Sequence, residues 1–165
     1  ETTGTGPNDL IIEVGIVDLD GNVLYDGLVN PGIPIPLESS AVNEITDAMV
    51  ADKPTWGQVW LDIEPVLRNR AIGIYNADFD MRLLRQSNAA AGLPWTLENN
   101  QAFCVMRLFA AWYGEWNARF NGFRSQKLAF AGNFCGIDLP NSHHAVDDAR
   151  LTAALLKYLA GYVKK

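Results

Sequence analysis

Positive charge is in short supply in this sequence. Thirteen lysines and arginines face nineteen aspartates and glutamates, a formal net charge of −6 over 165 residues. Broad capture of duplex nucleic acid needs a basic surface, so this charge argues against that mode of binding. Grip on a few nucleotides at an acidic, cation-bearing site is not excluded, because there the cations and not lysines neutralise phosphate. Cysteine is scarce too. Cys104 and Cys135 are the only two; they lie in apolar surroundings without metal-ligand spacing and are expected to be reduced core thiols. That expectation points to a cytoplasmic setting. No apolar run is long enough to span a bilayer, and no signal-peptide pattern is visible. Repeats, low-complexity tracts and linkers are missing, and the 48% hydrophobic content argues against disorder. Residues 1–165 are therefore expected to form one domain with one sizeable core. An initiating methionine is also lacking: the sequence opens on Glu1, and further residues are expected upstream.

What is present reads as a mixture of strands and helices. Residues 9–19 are rich in β-branched side chains and predict a strand. Asp20-Gly21-Asn22 signals a turn, and 23–29 predicts a second strand antiparallel to the first. Residues 30–36 carry three prolines and must be an extended loop. A short helix is expected within 38–51 and a second over 55–69, with Thr55 as its N-cap. A short buried strand at 71–75 leads into a helix over 77–91. Another short strand at 102–106 leads into a helix; the pattern over 111–125 is aromatic and irregular and predicts no element. Helices are expected again at 126–136 and 145–162. A β-hairpin followed by αβα units suggests a mixed sheet with helices packed on it.

The informative residues are acids on apolar stripes, where a carboxylate needs a compensating partner. On the last helix, Asp148 shares a face with Leu151, Thr152, Leu155 and Leu159. Asp147 lies about 100° round the helix, beside Arg150 and Lys157. The helix at 77–91 repeats the pattern. Asp80 aligns with Leu83, Leu84, Ser87 and Ala91, whereas Asp78 falls with Arg82 and Arg85 on the polar face. An acid in a first turn also suits the helix dipole, which is the plainer account of each taken singly. Two such acids in first turns fit a different purpose: hard divalent cations want carboxylate oxygens gathered at one point. His143 and His144, the only histidines, lie just before Asp148, and a histidine beside a metal can take a proton from water at neutral pH. Helix spacing favours His144, four residues before Asp148, while His143 projects from the preceding loop; spacing alone does not choose between them.

These residues fall into three recognisable strings. Glu1-Thr2-Thr3-Gly4 resembles the tail of an Asp-x-Glu-Thr-Thr-Gly motif. Tyr75-Asn76-Ala77-Asp78-Phe79-Asp80 resembles a second motif with an Asn and a Phe-Asp pair. His143-His144-Ala145-Val146-Asp147-Asp148-Ala149 is similar to a third, a His followed four residues later by Asp. Residues 41–54 resemble the helix that follows the hairpin. Together, in this order and over nearly the whole chain, they resemble the DEDDh (DnaQ-like) 3′→5′ exonucleases, the family of the DNA polymerase III epsilon subunit and exonuclease X.

The resemblance implies a ribonuclease-H-like α/β fold with a mixed five-stranded sheet flanked by helices. It makes Glu1, Asp80 and Asp148 metal ligands and His143 the general base, choosing the same acids as the stripes. Phe79 and the backbone at Thr3 and Gly4 are expected to line the terminal nucleotide. The cofactor implied is Mg²⁺ or Mn²⁺, two ions about 4 Å apart. The substrate implied is the 3′ end of a single-stranded nucleic acid, DNA ahead of RNA, with a DNA polymerase subunit as a possible partner and no membrane. The family's first motif begins with an Asp that would lie two residues before Glu1, on a central strand, so the first strand reads as truncated. Asn43 stands where relatives carry histidine. Glu13, an acid inside an apolar strand, is expected to play a supporting part and not to bind metal.

The aromatic run Trp112, Tyr113, Trp116, Phe120 and Phe123 reads first as a packing cluster; stacking on unpaired bases is the other reading. The motifs do not separate DNA from RNA. An RNA-trimming enzyme and an inactive binding or scaffold module both stay open.

Overall fold

The computed structural model describes residues 1–97, 101–142 and 144–161. Strand β1 (Glu13–Val17) pairs antiparallel with β2 (Val23–Leu28), with an irregularity between Ile16 and Val17. The turn between them is built by Asp18, whose carboxylate accepts the N–H groups of Asp20 and Asn22 and the Asn22 side-chain amide. The predicted strand over 9–19 thus splits. Its first part pairs with the chain's opening residues, Thr3 N–H donating to Leu10 at 2.8 Å and Ile12 N–H to Glu1 at 2.9 Å.

The helix expected within 38–51 is two: α1 (Leu37–Asn43) and α2 (Asp47–Val50). Asn43 explains the break. It is buried, its amide donates to the Thr2 carbonyl at 3.3 Å, its Oδ1 accepts the Ile45 N–H at 3.1 Å, and Glu44 turns left-handed at φ 60°. Helix α3 (Trp56–Leu67) starts where Thr55 predicts. Strand β3 (Ile72–Ile74) leads into α4 (Ala77–Ala90), and β4 (Ala102–Cys104) lies parallel to β3 and leads into α5 (Val105–Tyr113). The stretch that predicts no element contains the end of α5 and a small hairpin, β5 (Trp116–Asn117) and β6 (Gly122–Phe123). Helices α6 (Leu128–Phe134) and α7 (Ala145–Gly161) complete the chain.

The expectation of one five-stranded mixed sheet needs correcting: among the described residues the strands pair two by two, as β1–β2, β3–β4 and β5–β6. Strands of two or three residues supply too few ladder bonds to extend a sheet, and α7, packed against both β1 and β3, joins the two larger pairs. One apolar cluster sits under β1, α3 and α4 (Ile11, Val59, Ile63, Leu83) and another between α5, α6 and α7 (Val105, Phe109, Leu151, Leu155). Two buried polar contacts tie the helices: Trp56 Nε1–H donates to Asn88 Oδ1 at 2.7 Å between α3 and α4, and buried Glu64 accepts from Arg68 and Thr96, whereas the buried Trp95 Nε1–H has no hydrogen-bond partner among the described residues. Both cysteines are free and half-buried, and no described helix is long and apolar enough to cross a membrane.

Candidate active site

The acids singled out by their spacing sit at element ends. Asp80 is in the first turn of α4, directly after β3, where α4 opens with Asn76 accepting the N–H groups of Phe79 and Asp80. Its stripe is as expected at Leu83 and Ser87, which are buried, but Asp80 itself stands at the open end, where water reaches it. Protein nevertheless crowds it. Burial pushes the Asp80 carboxyl up to about 6, the Glu1 carboxylate adds to that push, and the Asp80 backbone N–H pulls it down. Glu1 and Asp80 are thus brought close enough to feel each other. Asp78 behaves as a surface acid, exposed and ion-paired with Arg107 of α5.

Asp148 is half-buried at the start of α7, at the head of the buried Leu151, Thr152 and Leu155, and accepts a hydrogen bond from Asn141 Nδ2 at 2.6 Å. Asp147 points elsewhere, toward Ser142 Oγ at 2.7 Å and Arg150 at 3.9 Å. His143 lies outside the described residues. His144 is exposed, with Nδ1 3.6 Å from Glu13 Oε1. The three predicted ligands do not all converge. Among the described residues no three His, Cys, Asp or Glu side chains come together tightly enough to hold a metal ion; of the three, Glu1 and Asp80 are the two whose charges influence each other.

The chemistry of that pair nonetheless fits a hard cation. Both offer carboxylate oxygens, and a crowded acid beside a second acid is a place where positive charge is missing.

The loop after Glu1 is held by Asp9 and by two residues of α4, Arg82 and Gln86. Asp9 accepts the Thr3 hydroxyl at 2.8 Å and the Gly6 N–H at 2.5 Å. From α4, Arg82 donates to the carbonyls of Thr5 and Gly6, and Gln86 to those of Gly6 and Asp9. Thr3 is buried, its N–H and carbonyl are both spent inside the fold (on Leu10 and Ser39), and its hydroxyl serves Asp9 and Leu10. Gly4 follows it with its carbonyl on the Thr2 hydroxyl at 2.7 Å. Phe79 is half-buried against the core under β1, with Arg82 5.4 Å from its ring centre. The signal for Arg82 and Gln86 is only their i, i+4 spacing, which any exposed helix face shows.

Glu13 also sits where the supporting role expects. It is 9% exposed, and its Oε2 accepts the Ala145 N–H, the opening amide of α7, at 2.9 Å. A carboxylate there satisfies an orphan donor and complements the helix dipole. Replacing Glu13 by Ala is expected to lower kcat/KM about tenfold and to lower the melting temperature, because the part-buried Ala145 N–H loses its acceptor at a cost of about 1 kcal/mol. Glu13→Gln, which keeps an acceptor, should recover most of both. Equal damage from the two would mean that charge, and not the hydrogen bond, is what Glu13 contributes.

Comparison with known proteins gives the family. The Exonuclease (RNase_T) family model matches residues 1–156. An uncharacterized exonuclease of Escherichia phage 186 is 34% identical over 165 residues, covering 97% of this chain and 84% of the relative. The DNA polymerase III epsilon subunit of Treponema pallidum is 27% identical over 173 residues, covering 100% of this chain and 75% of the relative. A PolC-type DNA polymerase III of Clostridium perfringens is 32% identical over 162 residues, 96% of this chain but only 10% of the much longer polymerase. Among solved structures, exonuclease X in complex with 5′-overhanging duplex DNA superposes with a TM-score of 0.68 at 25% identity, covering 100% of this chain and 92% of that one. With acids paired at the ends of the expected elements and a family match running from Glu1 to residue 156, this chain belongs to the DnaQ-like family of 3′→5′ exonucleases.

Proposed function

We propose that the chain removes nucleotides one at a time from the 3′ end of single-stranded DNA, releasing 5′-mononucleotides. The observation that carries this reading is the Exonuclease family match over residues 1–156, together with Asp80 at the start of α4, its carboxyl pushed up to about 6 by burial, with the Glu1 carboxylate acting in the same direction. Glu1 and Asp80, joined by Asp148, would hold Mg²⁺ or Mn²⁺, whose chemistry when bound is Lewis-acid stabilisation of the reacting phosphate and the leaving oxygen. His143 accepts the proton of the attacking water. Glu13 holds the first amide of α7 and so the helix that carries Asp148. Arg82 and Gln86 keep the loop after Glu1 shaped for the terminal nucleotide, with Gly4 and Phe79 beside it. DNA is preferred over RNA because exonuclease X was solved with DNA. The epsilon and PolC-type relatives make a DNA polymerase subunit, in proofreading or repair, the partner to test first.

The test is release of labelled mononucleotide from a 3′-labelled single strand, DNA and RNA side by side, with Mg²⁺ or Mn²⁺ and with chelator. Chelator-sensitive trimming from the 3′ end is expected, with DNA the faster. Replacing His143 by Ala should slow it at least about a hundredfold. Faster trimming of RNA would move the substrate to RNA. No trimming of either strand by folded protein would overturn the enzyme reading in favour of a binding module.

A further inference from the structure

The aromatic run divides in two. Trp112 and Tyr113 belong to a packed cluster with Phe109, Phe130 and Phe134. Trp116, Phe120 and Phe123, on and between β5 and β6, are 54%, 74% and 47% exposed. Trp116 and Phe123 meet edge to face at 5.4 Å across the hairpin, and the Arg119 guanidinium lies 5.5 Å from the centre of the Phe120 ring. Three large rings in water on a two-residue-per-strand hairpin stabilise little of the fold. The charge is equally unusual: from 115 to 127 one acid, Glu115, stands among Arg119, Arg124 and Lys127, in a chain whose net charge is −6. Exposed rings interleaved with cations are what an unpaired nucleic acid strand requires, the rings stacking on bases and the cations meeting phosphate.

The hairpin is also tied to the wall of the site. Glu115 accepts from both Arg124 and Gln126 at its root, and the Gln126 carbonyl accepts the Tyr75 hydroxyl at 2.9 Å. Tyr75 immediately follows β3 and lies five residues before Asp80. Phe120 is six residues from Gln126, at most about 20 Å of extended chain, so the ring-bearing tip lies within a few nucleotides' reach of Tyr75. We infer that the β5–β6 hairpin is a base-stacking platform that holds the single strand on the 5′ side of the nucleotide being removed, with Phe120 and Trp116 as the stacking surfaces and Arg119 and Lys127 against the backbone. This rests on the exonuclease reading above.

Length dependence and binding test it together. Wild type is expected to act on a 12-nucleotide DNA strand with much higher kcat/KM than on a dinucleotide, which is too short to reach the hairpin. Phe120→Ala should shrink that length preference about tenfold through KM, and Phe120→Tyr, which keeps a ring, should restore it. In chelator, where cleavage stops, fluorescence anisotropy of a labelled 12-mer should show Phe120→Ala binding about tenfold more weakly than wild type. Equal affinity and an unaltered length preference in Phe120→Ala would overturn the platform. So would a dimer of the wild type that Phe120→Ala dissociates without change in DNA affinity, which would give this face to a second copy. If wild type releases nothing from either substrate, the exonuclease reading fails, and the anisotropy comparison still decides the platform.

Discussion

An Asp80→Asn variant is expected to lose exonuclease turnover about a thousandfold and yet to melt at a higher temperature than wild type in chelator at pH 7.5. The loss follows from removing one of the carboxylates that would hold the cations; forfeiting even about 4 kcal/mol of transition-state charge stabilisation gives that factor. The gain in stability follows from the direction of the pKa. The folded chain holds the Asp80 proton more tightly, with a pKa of about 6 against 3.8 for an ordinary aspartate. The native state therefore binds more protons than the unfolded state between pH about 4 and 6, and stability falls as pH rises through that window. Above it the penalty is fully in place, and a neutral amide removes it. Because water reaches this carboxylate, screening leaves about 1 kcal/mol, or about 2–4 °C in a chain of this size. Mg²⁺ should raise the melting temperature of wild type at pH 7.5 and leave the variant where it was. A variant that melts lower than wild type in chelator would mean that Asp80 supports the fold and is not a crowded ligand.

Gly15→Ala should be the most damaging small substitution in the chain. A Cβ built there falls 2.4 Å from the Ala145 carbonyl carbon and the Val146 nitrogen and 2.6 Å from the Val146 Cα. All three are backbone atoms of the first turn of α7, so no side chain can swing aside. Either α7 lifts off β1 or the strand bows away, and the Glu13–Ala145 bond lies along the same seam. Overpacking of this kind costs about 3 kcal/mol, which lowers the melting temperature by about 6–12 °C. Activity should fall as well, even at temperatures where the variant remains folded, since Asp148 rides on the displaced turn. A thermal melt and a low-temperature rate assay check both parts, and a melting temperature matching wild type would show that α7 is not seated on Gly15.

The candidate acids were legible because helical periodicity marks which acids head an apolar stripe and which fall among polar side chains. Asp78 and Asp147 took surface partners, Arg107 and Ser142, while Asp80 and Asp148 head stripes whose next members are buried. Periodicity could not show that Asp80 stays open to water at the end of its stripe, because the turn where a helix leaves the core is a tertiary property. The break between α1 and α2 was hidden for a similar reason: no Gly or Pro marks it, and Asn43 imposes it through contacts with Thr2 and Ile45. The β5–β6 hairpin did carry a local signal, Asn121-Gly122 with Asn121 at φ 48°, but its two-residue strands are too short to register as alternation. The five-stranded sheet came from family resemblance alone, and no periodicity in β3 or β4 bears on how many partners three residues can find.

The clamp of Arg82 and Gln86 on the loop between Gly4 and Asp9 has a consequence for cooperativity. A surface loop ordinarily opens on its own, at little free-energy cost and independently of the helices beside it. Here the carbonyls of Thr5, Gly6 and Asp9 are all bonded to side chains of α4, the helix that carries Asp80. Loop and helix are consequently one opening unit, and whatever frays the loop also disperses the Glu1–Asp80 pair.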